Sequence, residues 1–137
     1  MKERNEQLLA LRPLVPKAKT TEQTGAEEHF QNTTLRPILK LQNDLLLQVF
    51  QQYIARRKNT FHQLSLEKRL AYISNALQRD IRFRNIVLGM VIGHFTVQEH
   101  ALYSRAASAH NKRIASMAIT RIQDQLQYFE KNASIQQ

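Results

Sequence analysis

The chain has 137 residues, with 20 Lys and Arg against 11 Asp and Glu, five His, three Gly, three Pro, no Cys and no Trp, and a formal net charge of +9. That length suits one domain, or one domain with a tail, and 42% hydrophobic with 23% charged residues fits neither a disordered polyampholyte nor a membrane protein. The absence of cysteine removes disulfides, thiol catalysis and thiolate metal sites.

The longest apolar run, Ile86 to Gly93, has eight residues, far below the roughly 20 that span a bilayer. Near the start, Leu8-Leu9-Ala10-Leu11 is short for a signal-peptide core and is followed by Pro13 and Pro16. The expectation is a soluble, cytoplasmic protein with no membrane partner. Residues 1–34 hold five basic and five acidic side chains, whereas residues 35–137 hold fifteen basic and six acidic ones, so the whole excess sits on the later part.

Residues 1–33 read as a mobile arm. Met1 to Arg12 forms a short amphipathic turn that orders only if it docks, because so short a helix is marginal alone in water. Pro13 to Gly25 is too polar to offset the entropy of ordering it and reads as a linker. The helical domain then covers 34–137. Thr33 or Thr34 is placed to cap helix 1, with Pro37 in its first turn. Leu35, Ile38, Leu39, Leu41, Leu45, Leu46, Val49, Phe50 and Tyr53 recur at helical steps, a stripe wide enough for two neighbours. Arg56-Arg57-Lys58 suits the carbonyl-rich end, and Asn59 a left-handed residue there.

Ser65 is a candidate cap for helix 2, along which Leu66, Leu70, Ile73 and Leu77 step by four, three and four. Asp80 either caps a third helix or lies inside a longer one. Gly93 reads as a stop, and Thr96-Val97-Gln98-Glu99 is a capping box, in which hydroxyl and carboxylate satisfy free amides reciprocally. The two together predict an antiparallel hairpin. The last helix is expected from Val97 to about Lys131, roughly 50 Å against roughly 35 Å for helix 1. Its overhang must be covered. Either it breaks near Ala109-His110-Asn111 and folds back, or a second subunit packs on a seam of Ile114, Met117, Ile122, Leu126 and Phe129, so that the chain is a homodimer.

No catalytic or metal-ligating set emerges, and no cofactor is expected. The histidines, including His94 and His100, lack the spacing that puts ligands on one helical face. Ser104 lies four residues after His100 but on no strained turn that would expose a nucleophile. Gly89-Met90-Val91-Ile92-Gly93 matches a close-packing motif in which Gly89 admits another helix; alternatively Ile86 to Ile92 is a short buried strand. Asp44, on the rim of the apolar stripe, must be exposed or matched by a cation, and Arg82 or Arg84 would serve as an interhelical ion-pair partner.

The basic groups Arg56-Arg57-Lys58, Arg79/Arg82/Arg84 and Lys112-Arg113 are candidates for polyanion binding if they share a face. A helix-turn-helix reader is not expected, because the core-type residues Ile86, Val87, Leu88, Met90 and Val91 stand where base-reading side chains would be needed.

The segments Phe30-Gln31-Asn32-Thr33-Thr34-Leu35-Arg36-Pro37-Ile38-Leu39-Lys40-Leu41-Gln42-Asn43-Asp44-Leu45-Leu46, Phe83-Arg84-Asn85, Gly89 to Gly93 and Phe95-Thr96 are similar to a family of small helical bacterial proteins of unknown function, over about residues 27–131. Some members carry the label glyoxalase, which these residues do not support: glyoxalases are βαβββ metalloproteins, and neither the strands nor a matching His/Glu set is present. The resemblance implies the fold and a bacterial origin and transfers no functional residue. The sequence thus predicts an all-α bundle of three or four helices with a long C-terminal helix. Its expected function is that of a non-enzymatic interaction or regulatory module for a protein partner. A nonspecific nucleic-acid or polyanion binder and an enzyme of unrecognised type are the alternatives.

Overall fold

A computed structural model of the chain describes residues 1–15 and 25–130; the linker read over Pro13 to Gly25 lies mostly outside them. Among the described residues all regular structure is helical, with no strand, and no helix is long and apolar enough to cross a membrane. Helix α1 (Lys2–Leu11) is followed by α2 (Ala26–Phe30), which widens into a π-helical stretch (Gln31–Leu35) and narrows into α3 (Arg36–Leu41). Then come α4 (Asn43–Arg56), a 3-10 turn (Thr60–Gln63), α5 (Leu66–Gln78), α6 (Ile81–Ile92), α7 (Val97–Ser104) and α8 (Ala107–Gln123), with a last helical turn at 127–130.

Local chemistry sets several of these boundaries. Asn59 is left-handed (φ 57°) at the end of α4, Ser65 Oγ accepts from the Lys68 N–H, and the Thr96–Glu99 capping box is complete. Asp80 resolves the open question after α5: its carboxylate accepts from the Phe83 N–H at 3.2 Å, so α5 and α6 are separate helices.

Other expectations are corrected. Thr33 and Thr34 cap nothing, because the helix is already under way at Ala26. The Thr33 hydroxyl instead donates to the His29 carbonyl, and the wide turn falls where the Pro37 ring would otherwise press on the carbonyl four residues back. Ile86 to Ile92 is helix, not strand. Gly89 admits no neighbour, since a Cβ there would meet nothing within 4 Å; Gly93 is the crowded one, its Cβ position lying 3.0 Å from the Gly89 carbonyl oxygen of the preceding turn.

The long C-terminal helix is also interrupted. At Arg105 and Ala106 the N–H groups turn to carbonyls three residues back. At 124–126, the Gln125 side chain takes the Arg121 carbonyl that its own backbone N–H would take in a continuous helix. The proposed seam is largely internal: Ile114, Ile122 and Phe129 are fully buried within the single chain, and Met117 and Leu126 half-buried.

The chain divides into two compact units, Met1–Gln42 with Leu88–Ile114, and Asn43–Val87 with Ala115–Gln137. In the second, Phe50 is the hub: wholly buried, it meets the rings of Phe61, Tyr72, Phe83 and Phe129 edge-on, with centroids 5.1–6.2 Å away. In the first, Phe30 packs on Phe95 at 5.6 Å and on His110 at 4.6 Å, and Leu35, Ile38 and Val91 are buried as well.

The condition for ordering the arm is met in the first unit. Arg12 grips the Glu99 carboxylate with both terminal nitrogens, at 2.6 and 2.5 Å, and also donates to the His94 carbonyl. Glu99 accepts in addition from the Thr96 N–H at 2.8 Å and the Thr34 hydroxyl at 2.7 Å. Burial pushes the Glu99 carboxyl up, but these donors more than reverse it and hold it below the usual carboxylate range.

Because Arg12 and Glu99 retain only 7% and 14% side-chain exposure, Glu99→Gln is expected to cost about 2–3 kcal/mol at pH 7, leaving a desolvated guanidinium without its counter-charge. Glu99 has a lowered folded-state pKa, so its contribution is present above about 4.5 and is lost as the pH falls through the lower folded value. The gap between wild type and variant in urea titrations should therefore close on acidification, and a pH-independent gap would contradict this assignment.

A candidate anion-binding cleft

Helix α4 buries Leu46, Leu47, Phe50 and Ile54. The adjoining row of its surface, Gln48, Val49, Gln52, Tyr53 and Arg56, faces Arg82, Phe83 and Ile86 of α6 across a cleft of about 590 Å³. Val49, Phe83 and Ile86 supply apolar surface, the two glutamines polar edges, and Arg56, Arg57 and Arg82 positive charge. A second cleft, also of about 590 Å³, shares Tyr53, Arg57, Asp80 and Arg82 and adds Tyr72, Asn75 and Arg79. The lining of the two holds four arginines against one carboxylate.

The shared wall is built around Asp80. While one oxygen caps α6, the other accepts from the Tyr53 hydroxyl at 3.1 Å and pairs with Arg57, whose guanidinium lies 4.3 Å above the Tyr53 ring. The Phe83 N–H, ahead of the Tyr53 hydroxyl and Arg57, holds the Asp80 carboxyl below its ordinary value despite some burial. Tyr53 is pushed up to about 12, chiefly by burial and further by Asp80, with Arg57 opposing. Burial likewise raises Tyr72, whose buried hydroxyl has no hydrogen-bond partner among the described residues.

Arg57 is thus committed, whereas Arg56, Arg79 and Arg82 are exposed and have no ion pair among the described residues. Two predicted basic groups, Arg56/Arg57 and Arg79/Arg82, therefore come together. Lys58 and Arg84 do not join them in lining the clefts. Lys58 sits in the turn after α4 with φ 62°, and half-buried Arg84 lines neither cleft. Lys112 and Arg113 belong to the first unit, where Arg113 donates to the Gln31 side chain.

The ion pair of Asp44 with Arg82 or Arg84 is not formed. Asp44 is exposed in the first turn of α4, where the helix dipole and water suffice for a carboxylate, and among the described residues its carboxylate accepts from Asn43. The Ser104 hydroxyl donates to the His100 carbonyl and does not engage the imidazole. Sequence reasoning missed Tyr53 as a site residue, having assigned it to the core stripe; its spacing of four from Arg57 was the available hint.

Asp80→Ala removes a helix cap and a partly exposed ion pair, for an expected loss of about 1–2 kcal/mol in denaturant titration. Asp80→Asn retains the capping oxygen and should lose less than half of that. Equal losses would mean that the charge, not the cap, holds α6. No family model, curated protein or solved structure matches the chain.

Proposed function

We propose that the protein is a non-enzymatic binding module that takes an acidic, amphipathic segment of a protein partner in the α4–α6 cleft. The observation that carries this reading is the meeting of Arg56, Arg57 and Arg82 with the apolar surface of Val49, Phe83 and Ile86. An arginine cluster alone would serve any polyanion. The apolar floor adds a reward only for a ligand with apolar side chains, as when an amphipathic helix lies in a groove. From exposed Leu45 to Arg56 the α4 row is roughly 16 Å long, the length of three helical turns. Apolar positions of such a segment would lie over Val49 and Ile86, and its carboxylates would reach Arg56 and Arg82.

Nucleic acid is the second reading, favoured by the excess of four arginines over one carboxylate. A phosphate backbone, however, draws little from the apolar floor and prefers a broad basic face. A fluorescein-labelled twelve-residue helical peptide with Leu and Glu at i, i+4 spacing should bind more tightly than a 20-base-pair duplex in anisotropy titrations at 50 mM salt. The double substitution Arg56→Glu/Arg82→Glu should weaken the peptide at least tenfold. Tighter duplex binding, or indifference of the peptide to the double substitution, would overturn the reading.

A further inference from the structure

The manner in which the arm is held in the first unit points to a second binding site. Between α6 and the cap of α7, three successive carbonyls are engaged by the arm: Arg4 donates to those of Gly93 (3.0 Å) and Phe95 (2.8 Å), and Arg12 to that of His94 (2.9 Å). This is the carbonyl-rich end of a helix, where positive charge is favoured. The Glu99 carboxylate completes the cradle with its bidentate grip on Arg12, and Asn5 fixes the register by accepting from the Val97 N–H and donating to Gln98. Two guanidinium groups eight residues apart in sequence, roughly 12 Å along a helix, fill the cradle.

The arm itself is an unusual occupant. Helix α1 has no buried residue, and Leu9, Leu11 and Leu14 are 52%, 57% and 87% exposed. A docked helix ordinarily turns its apolar side inward; this one is held mainly through polar side chains, and of its three leucines Leu8 alone is half-buried while Leu9 and Leu11 stay exposed. The fit is also incomplete, because among the described residues Arg12 Nε and His94 Nδ1, both buried, have no hydrogen-bond partner. The cradle therefore selects for arginine forks more than for the body of this particular helix, and helices held with little apolar burial are among the first elements to open.

We propose that the cradle of Gly93, His94, Phe95 and Glu99 is a recognition site for a helical segment bearing two arginines, supplied by another protein chain, and that the arm occupies it in cis. Tethering gives the arm a high effective concentration, so a partner in trans competes at a disadvantage until the arm is released. This site is independent of the α4–α6 cleft, and neither proposal needs the other.

The test uses the full chain and a fluorescein-labelled peptide of residues 1–15 as probe. The Arg4→Ala/Arg12→Ala variant vacates the cradle and should bind the peptide at least tenfold more tightly than the wild type. Adding Glu99→Gln to that variant should abolish the gain, and a peptide with both arginines replaced by alanine should not bind. Should the alanine variant lose its helical circular dichroism, Arg4→Lys/Arg12→Lys, which keeps the charges but not the forks, is expected to show the same ordering. Equal binding by wild type and variant, binding of the arginine-free peptide, or no binding by a folded variant would each overturn the proposal.

Discussion

The Glu99 carboxylate accepts hydrogen bonds from the Thr96 N–H that opens α7, from the Thr34 hydroxyl in the π-helical stretch, and from both terminal nitrogens of Arg12 at the end of the arm. A single charge, largely withdrawn from water, fastens three segments of its unit. Such a charge is tolerated because its lone pairs are taken up, and it would be costly with any fewer donors. Asp80 does comparable work in the other unit, closing the N-terminus of α6 while holding Arg57 and Tyr53. In both places a helix needed a carboxylate to satisfy its free amides, and the same carboxylate drew in an arginine distant in sequence.

This double use of acids accounts for the charge left over. Only six carboxylates occur after residue 34, and Glu99, Asp80 and Glu130 are engaged with Arg12, Arg57 and Arg69. Among the described residues, Arg56, Arg79 and Arg82 are then left without acidic partners at the two clefts. In salt near 0.15 M their mutual repulsion is screened over about 8 Å, which makes an unpaired cluster on the surface affordable. On the proposed reading, an incoming anion would gain attraction from these side chains without first breaking an internal pair, since Asp80, the one carboxylate among the described lining residues, is already committed to the helix it caps. The net charge of +9 is thus less a property of the whole surface than a consequence of where the few acids are needed.

The sequence disclosed those parts of the fold that local chemistry decides. The Thr96–Glu99 box, the Ser65 cap and the left-handed Asn59 each depend on residues within a few positions, and each is visible in a short string of letters. The turn at Arg105 and Ala106 contains neither Gly nor Pro, and at Gln125 a side-chain amide replaces a backbone one; both depend on packing that composition does not encode. Arg12 and Glu99 lie 87 residues apart, so no periodicity links them. At the cleft, the arginine groups were legible as groups, while their meeting depended on how α4 packs on α6. Tyr53 was hidden by sharing its helical period with the core, although its polar end reaches Asp80. At the C-terminal seam the single chain already buries Ile114, Ile122 and Phe129, and an apolar face looks the same in sequence whether the same chain or a second one covers it.

The groups around Asp80 also bear on whether the cleft binds or catalyses. A general acid or base works best with a pKa near the working pH, where it can both hold and release a proton. Here the same contacts drive the two central groups apart. Asp80 is stabilised as the anion by the α6 amide and its neighbours, so it is a weak base. Tyr53 is raised to about 12, so it holds its proton throughout the physiological range. The hydrogen bond between them keeps the tyrosine proton in place and the carboxylate charged, and Arg57 above the ring adds no proton that can be exchanged near neutrality. What the pair provides is a fixed arrangement of charge and dipole, with free guanidinium groups on either side. Such an arrangement supports the proposed reading, in which the cleft would hold an anion without exchanging a proton with it.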